Sequence, residues 1–231
     1  HTSTNPYSYY TKTKFHKDTT GNPSCQALPF EKMFNVLQAS ISKADPAAYM
    51  NTELWDKMGW SEGVSLFIQM MMSAEDNGVL VDGWHLLARL HILEREFNRA
   101  DNNKTDWLAK RDSLGFSQYS FADAAALNQT DWLLIAISYA TGMDHRDYFD
   151  MWGQAYSSAA GAQVAVMNYS RQTPRNFYMS SARGYCSGEG FDGTKLPVDG
   201  NQTWPSSLAS RPISFLRSGS IMKKLSIHSI N

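Results

Sequence analysis

A chain of 231 residues with 42% hydrophobic and 19% charged residues can bury a full core and is not of disordered composition. A formal net charge of −1, with no basic stripe interleaved with aromatics, offers nothing to nucleic acid. No apolar run approaches the ~20 residues that a helical membrane span needs.

In chain order, residues 1–29 are polar and rich in Tyr, Thr and Lys, with Pro6, Gly21, Pro23 and Pro29 as breakers, and read as an N-terminal loop segment. The chain begins His1-Thr2-Ser3-Thr4 without an initiator Met or a leader, so a processed or excised piece of a longer protein is expected. Phe30 to Ile41 carries Phe30, Met33, Phe34, Leu37 and Ile41 on one helical face. Asp45-Pro46 opens a second helix running to about Met58, with Pro where its missing N–H costs nothing.

The densest apolar stretch, Gly59 to Arg99, predicts a helical hairpin. Val64, Phe67, Ile68, Met71 and Met72 line one face of its first helix, and Asn77-Gly78 supplies a left-handed stop. Asp82 is expected to cap the second, with Leu86, Leu90, Leu93 and Phe97 inward. Trp107 to Leu114 is a short helix stopped at Gly115, and Ser120 to Asp123 resembles a capping box. Thr130 is expected to cap an all-round apolar, hence buried, helix from Asp131 to Thr141 that includes Trp132 and Ile135 and ends at Gly142. Asp144 caps a last helix through Phe149 and Trp152, closed by Gly153.

The fold class is therefore mainly α: a helical bundle over 30–173, then a Gly/Pro-rich segment over 174–205 with room for a few short β-strands. Residues 206–231 form a basic tail with four Lys/Arg and no acidic residue. Cys25 and Cys186, both in loop contexts, allow one long-range disulfide or two separate thiols. A bridge would contribute about 5 kcal/mol through loop entropy.

No catalytic signature is present: there is no G-x-S-x-G, no glycine-rich phosphate loop and no H-E-x-x-H. His85 and His91 fall about 240° apart on their helix and cannot share a metal. His91 and Glu94 share a face but supply two ligands where three or four are needed, and read as a surface pair. Asp101, Asn103 and Thr105 imitate a calcium loop, except that Asp106 stands where Gly is required. Glu62 reads as a helix-start acid, and Asp144 to Asp147 as a cap with first-turn charges. Tyr178, Arg183 and Tyr185, in the Gly-rich stretch, are residue types found in sugar-binding loops and are the candidate substrate contacts.

Three stretches together carry a resemblance: Trp60 to Met71, Gly83 to His91, and Asp131 to Gly153 with its Thr141-Gly-Met-Asp144 and Tyr148-Phe149-Asp-Met-Trp152-Gly153 runs. Their order and spacing resemble the region downstream of the zinc site in enhancin-like zinc metallopeptidases of the accessory colonisation factor D and immunomodulating types, over about residues 30–155. The resemblance implies a secreted or cell-surface zinc endopeptidase acting on O-glycosylated, mucin-type proteins. It also implies zinc as cofactor of the parent enzyme and an upstream catalytic part as partner. That family takes its two zinc histidines and general base from H-E-x-x-H, which this chain lacks, so no catalytic or metal residue carries over. The expectation is the C-terminal helical part of such an enzyme, inactive alone. The rival expectation is a non-enzymatic helical module binding glycans or a protein, with contacts from the 174–205 loops.

Overall fold

The computed structural model describes residues 10, 28–57, 59–171, 175–179, 185 and 190–205. In order they form α1 (Phe30–Ser40), α2 (Pro46–Glu53), a 3-10 turn (Trp55–Lys57), α3 (Trp60–Asp76), α4 (Trp84–Ala100) and α5 (Lys104–Lys110), which runs into a 3-10 turn (Arg111–Leu114). There follow α6 (Phe121–Ala125), α7 (Gln129–Thr141), β1 (Met143–Asp144), α8 (Arg146–Met151), α9 (Ser158–Val166), β2 (Ser170–Arg171), β3 (Asn176–Tyr178) and β4 (Lys195–Pro197). The mainly α expectation holds, and the strands are short: β1 pairs β2 in parallel and β3 pairs β4 antiparallel.

The helical hairpin is α3 and α4. Glu62 closes its start by accepting from the Gly59 N–H at 3.0 Å and pairing with Lys32 at 2.7 Å, which ties α1 to α3. Burial pushes the Glu62 carboxyl up, but the Lys32 ammonium and the helix-start N–H groups outweigh it, leaving the pKa lowered. The Asp82 carboxylate accepts from Trp84 N at 2.9 Å, so it does serve the first turn of α4 although Gly83 holds the cap position. Glu75 ties the turn down, accepting from Gly83 N at 3.0 Å and from Phe191 N at 2.8 Å.

Against α4 lies α7, whose Leu134, Ile135, Ala136 and Ile137 are fully buried. Each of the leucine and isoleucine side chains contributes about 1.5–3 kcal/mol on burial. Its cap is Asn128, which accepts from Asp131 N at 2.9 Å, and not Thr130; the helix starts two residues before the expected Asp131 because the Asx side chain reaches the free N–H first. Trp132 is only partly buried, a correction to the fully buried helix, because it lines an open groove that α3 and α4 also line. Asp131, 3% exposed, accepts from Ser157 N at 2.8 Å and so fixes the start of α9, a helix whose Ala- and Val-rich sequence carries no helical period. Gly115 turns the chain at φ 86°, with the Tyr139 ring 2.7 Å from where a Cβ would stand.

Two buried glutamines hold the β3–β4 hairpin to the helices. Gln69 of α3 donates to Tyr178 O at 2.7 Å and accepts from Tyr178 N at 2.8 Å. Gln38 of α1 donates to Pro197 O at 2.6 Å and accepts from Gly200 N at 2.5 Å. Backbone groups that a third strand would otherwise satisfy are met by side-chain amides. Among the described residues no helix is long and apolar enough to cross a membrane.

Candidate functional site: a groove between three helices

A groove of about 420 Å³ opens between α3, α4 and the first turn of α7. On α4 the residues at positions 87, 90, 91, 94 and 98 follow helical spacing, so one stripe passes from Leu87 and Leu90 to His91, Glu94 and Asn98. The leucines form the floor and the polar residues the rim. Phe67 of α3 and Trp132 of α7, both partly buried, make aromatic walls, and Phe97 backs Trp132 edge-on at 6.4 Å between ring centres. His91 Nδ1 lies 3.1 Å from Glu94 Oε2. At the far rim stand Gln129 and Thr130, beside the Asn128 cap, and Gln154. Among the described residues the side chains of Asn98, Gln129, Thr130 and Gln154 have no hydrogen-bond partner, which leaves their amide and hydroxyl groups open to a ligand.

A second cavity, about 510 Å³, lies by α8 and is lined in part by Asp147, Asp150 and Arg175. Its charges are mostly committed. Arg146 grips Asp144 at 2.6 Å, and Arg171 reaches Asp144 at 3.6 Å and Asp147 at 3.0 Å. Burial raises the Asp144 carboxyl, but the Arg146 guanidinium, the Arg146 N–H and Arg171 hold it below the usual carboxylate range. Burial pushes Asp150 up; Tyr156, hydrogen-bonded to it, is itself pushed up to about 12 by burial and by the Asp150 charge. His145, 2% exposed, lies 3.0 Å from Met143 O through Nδ1, and burial brings its pKa down to about 4. This cluster clasps β1, β2 and α8 together.

The residues singled out from sequence separate clearly. His91 and Glu94 come to the groove, while His85 points to solvent from another face of α4. Tyr178 and Tyr185 are each 1% exposed: Tyr178 meets Phe191 edge-on at 5.5 Å, and Tyr185 stacks on Trp84 at 5.7 Å. Arg183 and the Cys25–Cys186 pairing lie outside the described residues. The imitation calcium loop is a helix cap, with Asn103 accepting from Asp106 N at 2.9 Å. Trp132, Gln129 and Thr130 of the groove went unremarked as ligand contacts; the polar run Asn128-Gln129-Thr130 ahead of an apolar helix was the available signal.

Zinc, implied by the resemblance, finds no fit: among the described residues no three His, Cys, Asp or Glu side chains gather as a metal site. His91 and Glu94 face each other and not a shared third point.

No protein-family model matches the chain. A curated relative, the immunomodulating metalloprotease of Pseudomonas aeruginosa, is 28% identical over 162 residues, 66% of this chain and 17% of that protein. This chain is a homologue of part of that metalloprotease. The solved structure of the IMPa metallopeptidase from Pseudomonas aeruginosa superposes with a TM-score of 0.67 at 25% identity, covering 90% of this chain and 23% of IMPa. The IMPa structure in complex with an O-glycopeptide gives 0.65 at 24% identity over 86% of this chain and 22% of IMPa, a likeness of fold. The chain thus spans about a fifth of the length of the metalloprotease it matches.

Proposed function

We propose that this chain forms the helical, substrate-side part of a secreted or cell-surface zinc metallopeptidase acting on O-glycosylated, mucin-type proteins. The zinc ligands and the general base are supplied from outside the chain, and the chain alone does not cleave. The observation that carries this reading is the 28% identity to the immunomodulating metalloprotease over 162 residues, backed by a shared fold over 90% of the chain. Zinc, when bound elsewhere in such an enzyme, activates a water for attack on the peptide carbonyl. This chain's contribution is shape: α3, α4 and α7 present a groove with aromatic walls and an uncommitted polar rim. The helical part over 30–173 acts as scaffold, and the 174–205 stretch is braced onto it through Gln38 and Gln69.

The test is cleavage of an O-glycosylated mucin fragment followed by mass spectrometry. The chain alone should leave the substrate intact, whereas a protein joining it to an upstream H-E-x-x-H segment should cleave it in a chelator-sensitive manner. Cleavage by the chain alone after metal stripping would sink the assignment, as would a joined protein that carries zinc and cleaves nothing.

A further inference from the structure

We propose that Asn77, at the stop of α3, is a site of spontaneous deamidation in the folded protein, converted there to isoaspartate and aspartate. The inference stands apart from the function proposed above. Asn77 is the sole asparagine of the chain followed by glycine. The reaction needs no enzyme. The Gly78 backbone nitrogen attacks the Asn77 side-chain carbonyl carbon, the carboxamide C–N bond breaks, and ammonia leaves with the proton given up by Gly78 N. Water then opens the resulting succinimide ring at either carbonyl. One opening gives aspartate; the other gives isoaspartate, whose main chain runs through the side-chain carbon. A side chain on the following residue would shield the attacking nitrogen, and glycine has none.

The fold both exposes this pair and restrains it. Asn77 and Gly78 are exposed, and nothing lies within 4 Å of where a Gly78 Cβ would stand. Local bonds hold the stop: Gly78 N donates to Glu75 O at 3.0 Å, Val79 N to Ala74 O at 3.0 Å, and the Asn77 carboxamide to Ser73 O at 2.8 Å. While they last, the Gly78 N–H is spent on Glu75 and the carboxamide nitrogen on Ser73, so ring closure proceeds from a state in which the last turn of α3 has opened. Freeing Asn77 and Gly78 breaks these bonds and uncovers no core, because both residues are already exposed. The three Asp-Gly pairs are poorer candidates, since carboxylates are weak electrophiles at neutral pH. Gly83 of the Asp82 pair is held besides: Glu75 takes its N–H at 3.0 Å, and the Met71 carbonyl stands where its Cβ would be. Isoaspartate adds a methylene to the main chain and removes the Asn77 donor, so the bond from Val79 to Ala74 loses its register. The new carboxylate also sits at the negative end of α3, next to Asp76. The turn so loosened is the one that Glu75 pins to Gly83 and Phe191.

The experiment ages the 231-residue chain at pH 7 and pH 9, folded and in denaturing guanidinium, and follows its tryptic peptides by mass spectrometry. Peptide 58–89 contains no asparagine but Asn77, and electron-transfer fragmentation tells isoaspartate from aspartate. In the folded chain this peptide should gain the mass difference between amide and acid, faster at pH 9 because the attacking nitrogen must lose its proton. Peptides carrying Asn102, Asn128 and Asn201 should stay unmodified over the same time. Guanidinium should speed the gain about ten- to hundredfold, the weight of two or three hydrogen bonds at the stop. Gly78→Ala should slow it in guanidinium, where only shielding of the nitrogen differs. The isolated isoaspartate fraction should melt below Asn77→Asp, which adds the charge without lengthening the main chain. Protection by the fold beyond about a thousandfold would mean that the reaction waits for global unfolding, and overturns the proposal. Another asparagine reacting first in the folded chain overturns it too. Equal rates in the folded and denatured chains refute the restraint by Glu75 and Ser73, and an isoaspartate fraction that melts with Asn77→Asp refutes the loosened turn.

Discussion

Acidification from pH 7 to pH 5 should destabilise this fold chiefly through His145. The imidazole is buried beside Asp144 and Tyr148, with Nδ1 donating to Met143 O, and its folded pKa falls from the ordinary 6.5 to about 4 because burial disfavours the charged ring. A folded pKa below the unfolded one means the unfolded chain binds the proton first. The stability is therefore present above about 6.5 and is lost as pH falls toward about 4. Integrating between those two values gives a loss of about 2 kcal/mol between pH 7 and pH 5. Carboxylates that the fold holds low, such as Glu62 and Asp144, lose their contribution only further down, as pH falls through the carboxylate range. His145→Asn isolates the ring: its amide can still donate to Met143 O, and every other titrating group is common to both proteins. Urea unfolding at pH 7 and pH 5 should show the parent losing about 2 kcal/mol more than the variant across that interval. Equal losses would refute the reasoning, because they would mean that the folded protein accepts the proton at His145.

In α7, Ile135→Ala should cost about 2–5 kcal/mol in urea unfolding, since Ile135 is fully enclosed. Trp132→Ala should cost less despite the larger side chain, because the residue is only partly buried and lines the open groove; the reverse order would show that Trp132 belongs to the core. Asp131→Ala should cost about 1–3 kcal/mol by leaving the Ser157 N–H and the start of α9 without their acceptor, read as a lower urea midpoint. Arg171→Ala should cost no more than about 1 kcal/mol, because its side chain is 56% exposed and its pairing with Asp147 is solvent-screened. A larger drop in thermal midpoint would show that the β1–β2 clasp depends on that arginine.

Much of the helical frame was legible because its signals are local. Apolar residues at helical spacing mark α1, α3 and α4, Asp45-Pro46 starts α2, and Gly115 and Gly142 stop their helices at positive φ. The reading weakened where two local signals competed. Asn128 and Thr130 are both capable caps, and the outcome turned on which oxygen reaches a free N–H. The alanine- and valine-rich run of α9 has no polar face to give it a period, so it went unassigned.

The groove was not legible, although its residues were. Trp132 looks like core in a helix that is apolar on every side, and only the meeting of α3, α4 and α7 decides that it lines an open groove. Tyr178 and Tyr185 look like loop aromatics offered to a ligand, yet the long-range grip of Gln69 on Tyr178 and the stacking of Trp84 on Tyr185 draw both inward. The sequence by itself determined where helices begin, end and turn, since those depend on residues within one or two turns of each other. The tertiary structure alone decided which faces are shared, because burial belongs to pairs of elements brought together from distant parts of the chain.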